Sequence, residues 1–242
     1  MMKKILSLLL VAIAITTKAS TSADSAQYQV LSQKADMYVS NDQWSNATAI
    51  YITLLEKFPK LASDYGKAMT VMTLAGDTTM AVGYLEHATR NLVSPEAVFE
   101  SIRGNSFSLG YPDIYQTLLY RCREAYPWLA RIVDRSLLSY YIFRNNGPLI
   151  VQFARAMLDG LPSSIHYNRI LANGLMLCGD TSAAIETWKK ILVIDPQNYA
   201  TILDLANYYL SVGNLDASLP YFRQAYDIYP TPYVAKILNR GK

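Results

Sequence analysis

IHYNRILANGLMLCGDTSAAIETWKKILVIDPQN, residues 165–198, is followed without a gap by YATILDLANYYLSVGNLDASLPYFRQAYDIYPTP, residues 199–232. The two stretches superimpose at a shift of 34 residues: Leu171 and Ala172 recur as Leu205 and Ala206, Gly179 as Gly213, Trp188 as Phe222, and Pro196 as Pro230. Each recurrence has a physical reason in a pair of antiparallel helices. Ala172 and Ala206 are small where one helix must approach its partner closely. Gly179 and Gly213 follow an apolar helical stretch and suit the left-handed conformation that ends it. Pro196 and Pro230 stop the second helix, and Trp188 and Phe222 are large apolar plugs between helices. Self-similarity at this period marks stacked helical units that grow along one dimension, so chain length alone does not count domains.

Sliding the frame toward the N-terminus finds two more units within residues 28–95. Tyr28 to Leu61 carries Ala35, Tyr38, Trp44, Ala47, Tyr51 and Pro59 at the equivalent places. Asp42 stands where the turn glycine would be, with Asn41 beside it as the residue expected to go left-handed. Ala62 to Pro95 carries Ala68, Gly76, Ala81 and Ala88, with Met69 at the small position and the proline two places late. Residues 96–164 diverge. Arg131 to Ser164 keeps Leu137, Tyr141, Asn145 at the turn and Pro162, but Leu138 fills the small position and Gly147-Pro148 is expected to open the second helix late. In Glu96 to Ala130, Gly104-Asn105-Ser106 and Gly110-Tyr111-Pro112 predict an irregular loop over 104–113, followed by a helix from Ile114 to Tyr126. Residues 233–242 read as a closing helix with Val234, Ile237 and Leu238 inward and Lys236, Arg240 and Lys242 outward.

The pattern resembles the tetratricopeptide repeat, firmly at both ends of residues 28–242 and loosely in the centre. The resemblance implies an all-α chain, an α-solenoid of about six helix-turn-helix repeats with a C-terminal capping helix. In that family the first helices of successive repeats line a concave groove, and repeat positions 2, 5, 9, 12 and 13 usually face it. The frame then nominates His166 at position 2, Arg135 and Arg169 at position 5, and Asn173 and Asn207 at position 9. Asn donates to and accepts from a peptide backbone, and Arg grips a carboxylate bidentately, so the set suits an extended or C-terminal peptide. It partly resembles the carboxylate-gripping arrangement of some chaperone-binding members, although the expected basic pair on the following helix falls at Ile237 and Gly241, with Lys236 and Arg240 each one position off. Phe143 falls either in the groove or in the core.

Residues 1–19 read as an export signal: Lys3 and Lys4 precede the apolar run from Ile5 to Ile15, and Thr17-Lys18-Ala19 offers a cleavage site. That run reaches only ~16 Å as a helix, too short to span a bilayer. The expected mature chain is periplasmic, with a flexible start over residues 20–27 and no stable membrane insertion. Removing Lys3, Lys4 and Lys18 from 22 basic residues leaves 19 of each sign, so the field that nucleic-acid binding needs is absent. No nucleophile–base pair, metal-ligand spacing, phosphate loop or dinucleotide fingerprint occurs, and neither enzyme activity nor a cofactor is expected. His87 reads as a half-buried, hydrogen-bonded residue. Cys122 and Cys178 fall two units apart, beyond disulfide reach, and both are expected as buried thiols. The function these readings converge on is a non-catalytic scaffold for a protein or peptide partner. The alternative is a structural subunit or homo-oligomer that assembles through its divergent middle.

Overall fold

A computed structural model of the chain describes residues 24–240. The export-signal reading of residues 1–19 and the last two residues of the capping segment lie outside the described residues. Among those residues there are 13 α-helices and no strand. In chain order they are α1 (24–40), α2 (Trp44–Lys57), α3 (Ala62–Leu74), α4 (Thr78–Arg90), α5 (Pro95–Ser108), α6 (Pro112–Ala125), α7 (Ala130–Phe143), α8 (Gly147–Gly160), α9 (Ile165–Leu177), α10 (Thr181–Ile194), α11 (Tyr199–Ser211), α12 (Leu215–Ile228) and α13 (Pro232–Arg240). A single 3-10 turn, Pro127–Leu129, precedes α7. The helices pair into six hairpins, α1/α2 through α11/α12, and α13 follows as the cap.

One turn chemistry closes all six hairpins. Asp42, Gly76, Gly110, Asn145, Gly179 and Gly213 all have positive φ, between 50° and 92°, at intervals of 34 residues with a single 35. The N–H of the next residue donates five residues back: Gln43 to Tyr38, Asp77 to Met72, Tyr111 to Ser106, Asn146 to Tyr141, Asp180 to Leu175 and Asn214 to Tyr209, at 2.8–3.0 Å. This is the Schellman arrangement, which satisfies carbonyls that a helix end leaves open. In four of the six, that same residue also opens the following helix. The side chains of Asp77, Asn146, Asp180 and Asn214 accept from Met80, Leu149, Ala183 and Ala217 N–H at 2.8–3.2 Å.

The chain divides into two compact units between Val133 and Asp134. In the first, α3 packs on α2, α4 and α5, and Tyr65, Met69, Leu85, Phe99, Ile102, Tyr115 and Leu118 are fully buried. Gly66 sets the α3–α5 distance, because a Cβ there would lie 2.1 Å from Ser101 Oγ and 2.7 Å from its backbone carbon. In the second unit Trp188 packs with Ala172, Ile191 and Leu205, and Phe222 packs with Ile202, Ala206, Ala225, Val234 and Ile237. The two plugs therefore fill equivalent places, and the cap buries Val234 and Ile237 as expected while Lys236 is exposed.

Several local expectations are corrected. No loop spans 104–113: α5 runs through Gly104-Asn105-Ser106 to Ser108. Asn105 Nδ2 and Ser106 Oγ turn back onto the carbonyls of Ser101 and Arg103 at 2.7 and 3.1 Å, which leaves the helix intact. Gly104 sits on the exposed face; its helix penalty of about 1 kcal/mol is smaller than the gain of about 1.5–3 kcal/mol from burying each of Val98, Phe99 and Ile102. Pro112 opens α6 at its first position, and α8 begins in register at Gly147 rather than late. Asp42 itself, not Asn41, takes the left-handed conformation. Residues 24–27 are the first turn of α1 rather than a flexible lead. Cys122 is buried, and burial pushes its thiol up to about 12. Cys178 is exposed, since it follows the last residue of α9 at the hairpin turn. Gly66→Ala is expected to lower stability by about 1–3 kcal/mol through forced separation of α3 and α5, read as a lower urea midpoint at an unchanged slope.

Candidate partner-binding faces

In the second unit the nominated side chains stand on α7, α9 and α11. Arg169 and Asn173 are one turn apart on α9, Asn207 lies on α11, His166 is exposed in the first turn of α9, and Arg135 is exposed on α7. Arg169 and Asn207 are held by neighbouring helices. Arg169 donates through Nε and Nη2 to Asp204 Oδ2, at 3.3 and 3.0 Å, joining α9 to α11. Both members of that pair are about a third exposed, so its worth is that of a partly screened ion pair, about 1 kcal/mol or less. Asn207 Oδ1 accepts from the Tyr233 hydroxyl at 2.7 Å, joining α11 to α13. The His166 ring meets the Tyr167 ring edge-on at 5.1 Å. Phe143 is 66% exposed and does not belong to the core.

Asn173 also borders a depression of about 190 Å3 formed with Ile142, Asn145, Ile150, Ile170 and Leu177. Asp204, Tyr233 and the isoleucines are the components that sequence reasoning missed. Asp204 stands at position 6 of its unit, one place outside the groove positions, and only the approach of α11 to α9 makes it the counter-ion of Arg169.

The first unit carries a second concavity that sequence reasoning did not find. It measures about 300 Å3 and is lined by Asp36 and Val39 of α1, Tyr51 of α2, Lys67 and Val71 of α3, and Asn105, Ser108 and Leu109 near the end of α5. Lys67 Nζ bonds Asp36 Oδ1 at 3.0 Å, and the Tyr51 hydroxyl reaches the same oxygen at 3.4 Å. Nearby, Asp64 is only 2% exposed. Its Oδ1 accepts from the Tyr28 hydroxyl at 3.1 Å, while its buried Oδ2 has no hydrogen-bond partner. Burial pushes the Asp64 carboxyl above its usual 3.8; the Tyr28 hydroxyl bond and the Lys67 charge oppose that, and Asp36 adds to it. His87 is half-buried and hydrogen-bonded as expected, its Nδ1 2.8 Å from the Tyr65 hydroxyl. Burial pushes the Tyr65 hydroxyl up to about 12. Among the described residues no group of three or more His, Cys, Asp or Glu side chains is arranged to hold a metal, and no helix is long and apolar enough to cross a membrane.

No protein-family model matches the chain, and no curated protein matches it. Solved structures do resemble it. The C-terminal part of a TPR repeat-containing protein from Cytophaga hutchinsonii is 14% identical, with a TM-score of 0.49, over 81% of this chain and 78% of that one. PilF of Pseudomonas aeruginosa is 14% identical, with a TM-score of 0.44, over 91% and 100%. The TPR2AB domain of yeast Sti1, in complex with pHSP90, is 14% identical, with a TM-score of 0.39, over 89% and 98%. The fold of this chain is an all-α repeat of tetratricopeptide type, defined by its own six hairpins and their common turn.

The buried Asp64 generates a pH dependence with a definite sign. Below about pH 3.8 the carboxyl is neutral in both folded and unfolded chains. As the pH rises through the raised folded value, the unfolded chain releases the proton more readily, and stability falls. Asp64→Asn keeps an acceptor for Tyr28 and removes the titration. Between pH ~4 and ~7, the wild type is therefore expected to lose stability relative to this variant, measured by urea unfolding along the series.

Proposed function

We propose that the chain is an exported, periplasmic, non-catalytic scaffold that binds a protein or peptide partner through the face carrying Arg135, His166, Arg169, Asn173 and Asn207. The observation that carries this reading is the arrangement on α9 and α11. There, polar side chains project from consecutive first helices that are cross-linked by the Arg169–Asp204 pair and, through Asn207, tied to the cap. Helices held this way lose little conformational freedom when a partner binds, so more of the interaction energy becomes affinity. Asn173 and Asn207 offer amide groups that pair with a peptide backbone. Arg169 already has its carboxylate in Asp204, which supports recognition of a peptide's backbone and side chains over capture of a terminal carboxylate.

A second reading, an assembly subunit or homo-oligomer, is favoured by Trp128. This residue stands 65% exposed beside Tyr126 on the short turn before α7, an expensive place for an indole unless something covers it.

The test is capture from envelope extract by the tagged protein, beside a variant with Arg135, Arg169, Asn173 and Asn207 all changed to alanine. The wild type is expected to retain a partner that the variant releases, with the same helical content in both and an unfolding free energy lower in the variant by no more than about 2 kcal/mol. Equal capture by both proteins would remove the groove reading. Self-association abolished by Trp128→Ala would replace it with the second.

A further inference from the structure

The depression bordered by α7, α8 and α9 combines an apolar wall with two amides. Ile142, Ile150, Ile170 and Leu177 supply its apolar wall, and Asn145 and Asn173 supply its polar groups. Its volume, about 190 Å3, suits a single large side chain. The shape is held by two close approaches. A Cβ on Gly174 would meet Ile150 Cγ2 at 2.7 Å, and one on Gly147 would meet Leu177 Cβ and Cys178 Sγ at 3.0 Å. With α8 and α9 packed that tightly, the site is formed before any guest arrives.

The polarity of the site selects among guests. Ile142 and Leu177 are 41% and 54% exposed, so aliphatic surface remains for a partner to cover. The carboxamides of Asn145 and Asn173 have no hydrogen-bond partner among the described residues, and each presents both a donor and an acceptor, the pairing that an extended backbone offers in return. Asn145 is held at φ 50° by the hairpin turn, which fixes where its side chain starts. Among the described residues no ionisable side chain lines the depression, and the Arg169 guanidinium is occupied by Asp204. A carboxylate entering here would give up hydration and meet no counter-ion, whereas an aliphatic side chain would bury apolar surface with no such cost.

We infer that this depression is the specificity pocket of the partner-binding face, and that it takes one aliphatic side chain from an extended, uncharged peptide segment whose backbone is gripped by Asn145 and Asn173. The inference rests on the groove-binding reading and names the class of segment bound.

The experiment measures fluorescence anisotropy of three labelled peptides on the whole protein. All three share a polar sequence: one is capped at both ends with a central leucine, one is capped with a central glutamate, and one ends in a free carboxylate. The leucine peptide is expected to bind, the glutamate peptide to bind about tenfold or more weakly. Leu177→Glu, at an exposed position that leaves the fold intact, should abolish the leucine preference, and Asn173→Ala should weaken binding of the leucine peptide. Lys189→Ala, at an exposed position of α10 outside that face, should change neither. Preferred binding of the free-carboxylate peptide, lost with Arg169→Ala, would overturn this inference and leave the groove reading standing. Failure of all three peptides to bind, or concentration-dependent self-association lost in Leu177→Glu, would overturn both.

Discussion

Every hairpin turns on a residue held at positive φ, and the residue after it performs two tasks at once. Its N–H closes the first helix through a bond to the carbonyl five residues back, and in most units its side chain opens the second by capping it. Because both bonds belong to one residue, the exit of one helix and the entry of the next are tied together locally. Glycine meets the conformational demand at Gly76, Gly110, Gly179 and Gly213 with no steric penalty, while Asp42 and Asn145 meet it as short polar residues that tolerate the left-handed region. The packing of large plugs and small contact residues then only has to fill a geometry already imposed. This explains how Met69 and Leu138 can occupy the position held elsewhere by alanine and still be buried.

The same local rigidity positions chemistry. Regular hairpins bring the first helices of adjacent units into register, and side chains a unit apart in sequence become neighbours: Lys67 with Asp36, Arg169 with Asp204, Tyr233 with Asn207. These cross-links hold the exposed faces, and they also consume charge. At the depression bordered by α7, α8 and α9, the lining is amides and aliphatic side chains.

Asp64 shows the cost of the same regularity. A carboxylate in the first turn of a helix is ordinarily favourable, because it faces the positive end of the helix dipole. Here the packing of α1 over α3 removes it from water and supplies one hydrogen bond, from Tyr28, where two oxygens need satisfaction. The penalty is electrostatic and local, and it makes the first unit sensitive to protons.

The all-α class, the repeat period, the turn glycines Gly76, Gly179 and Gly213, the plugs Trp188 and Phe222 and the inward face of the cap were legible in the sequence, because each depends on spacing along a single helical pair. Reading Gly104 as a break and Gly147-Pro148 as a late helix start failed because a weak local propensity was set against burial whose extent depends on neighbouring helices. The types of the face residues Arg169, Asn173 and Asn207 were legible too, but their chemistry was not. Whether an arginine is free or neutralised, whether an aspartate is exposed or buried, and whether four aliphatic side chains form a depression are decided by which helix lies alongside. Sequence by itself determined the hairpin and its repetition, since those follow from bonds a few residues long. Only the tertiary structure decided what the faces present, since charge pairing, desolvation and cavity shape arise between helices that are neighbours in space and strangers in sequence.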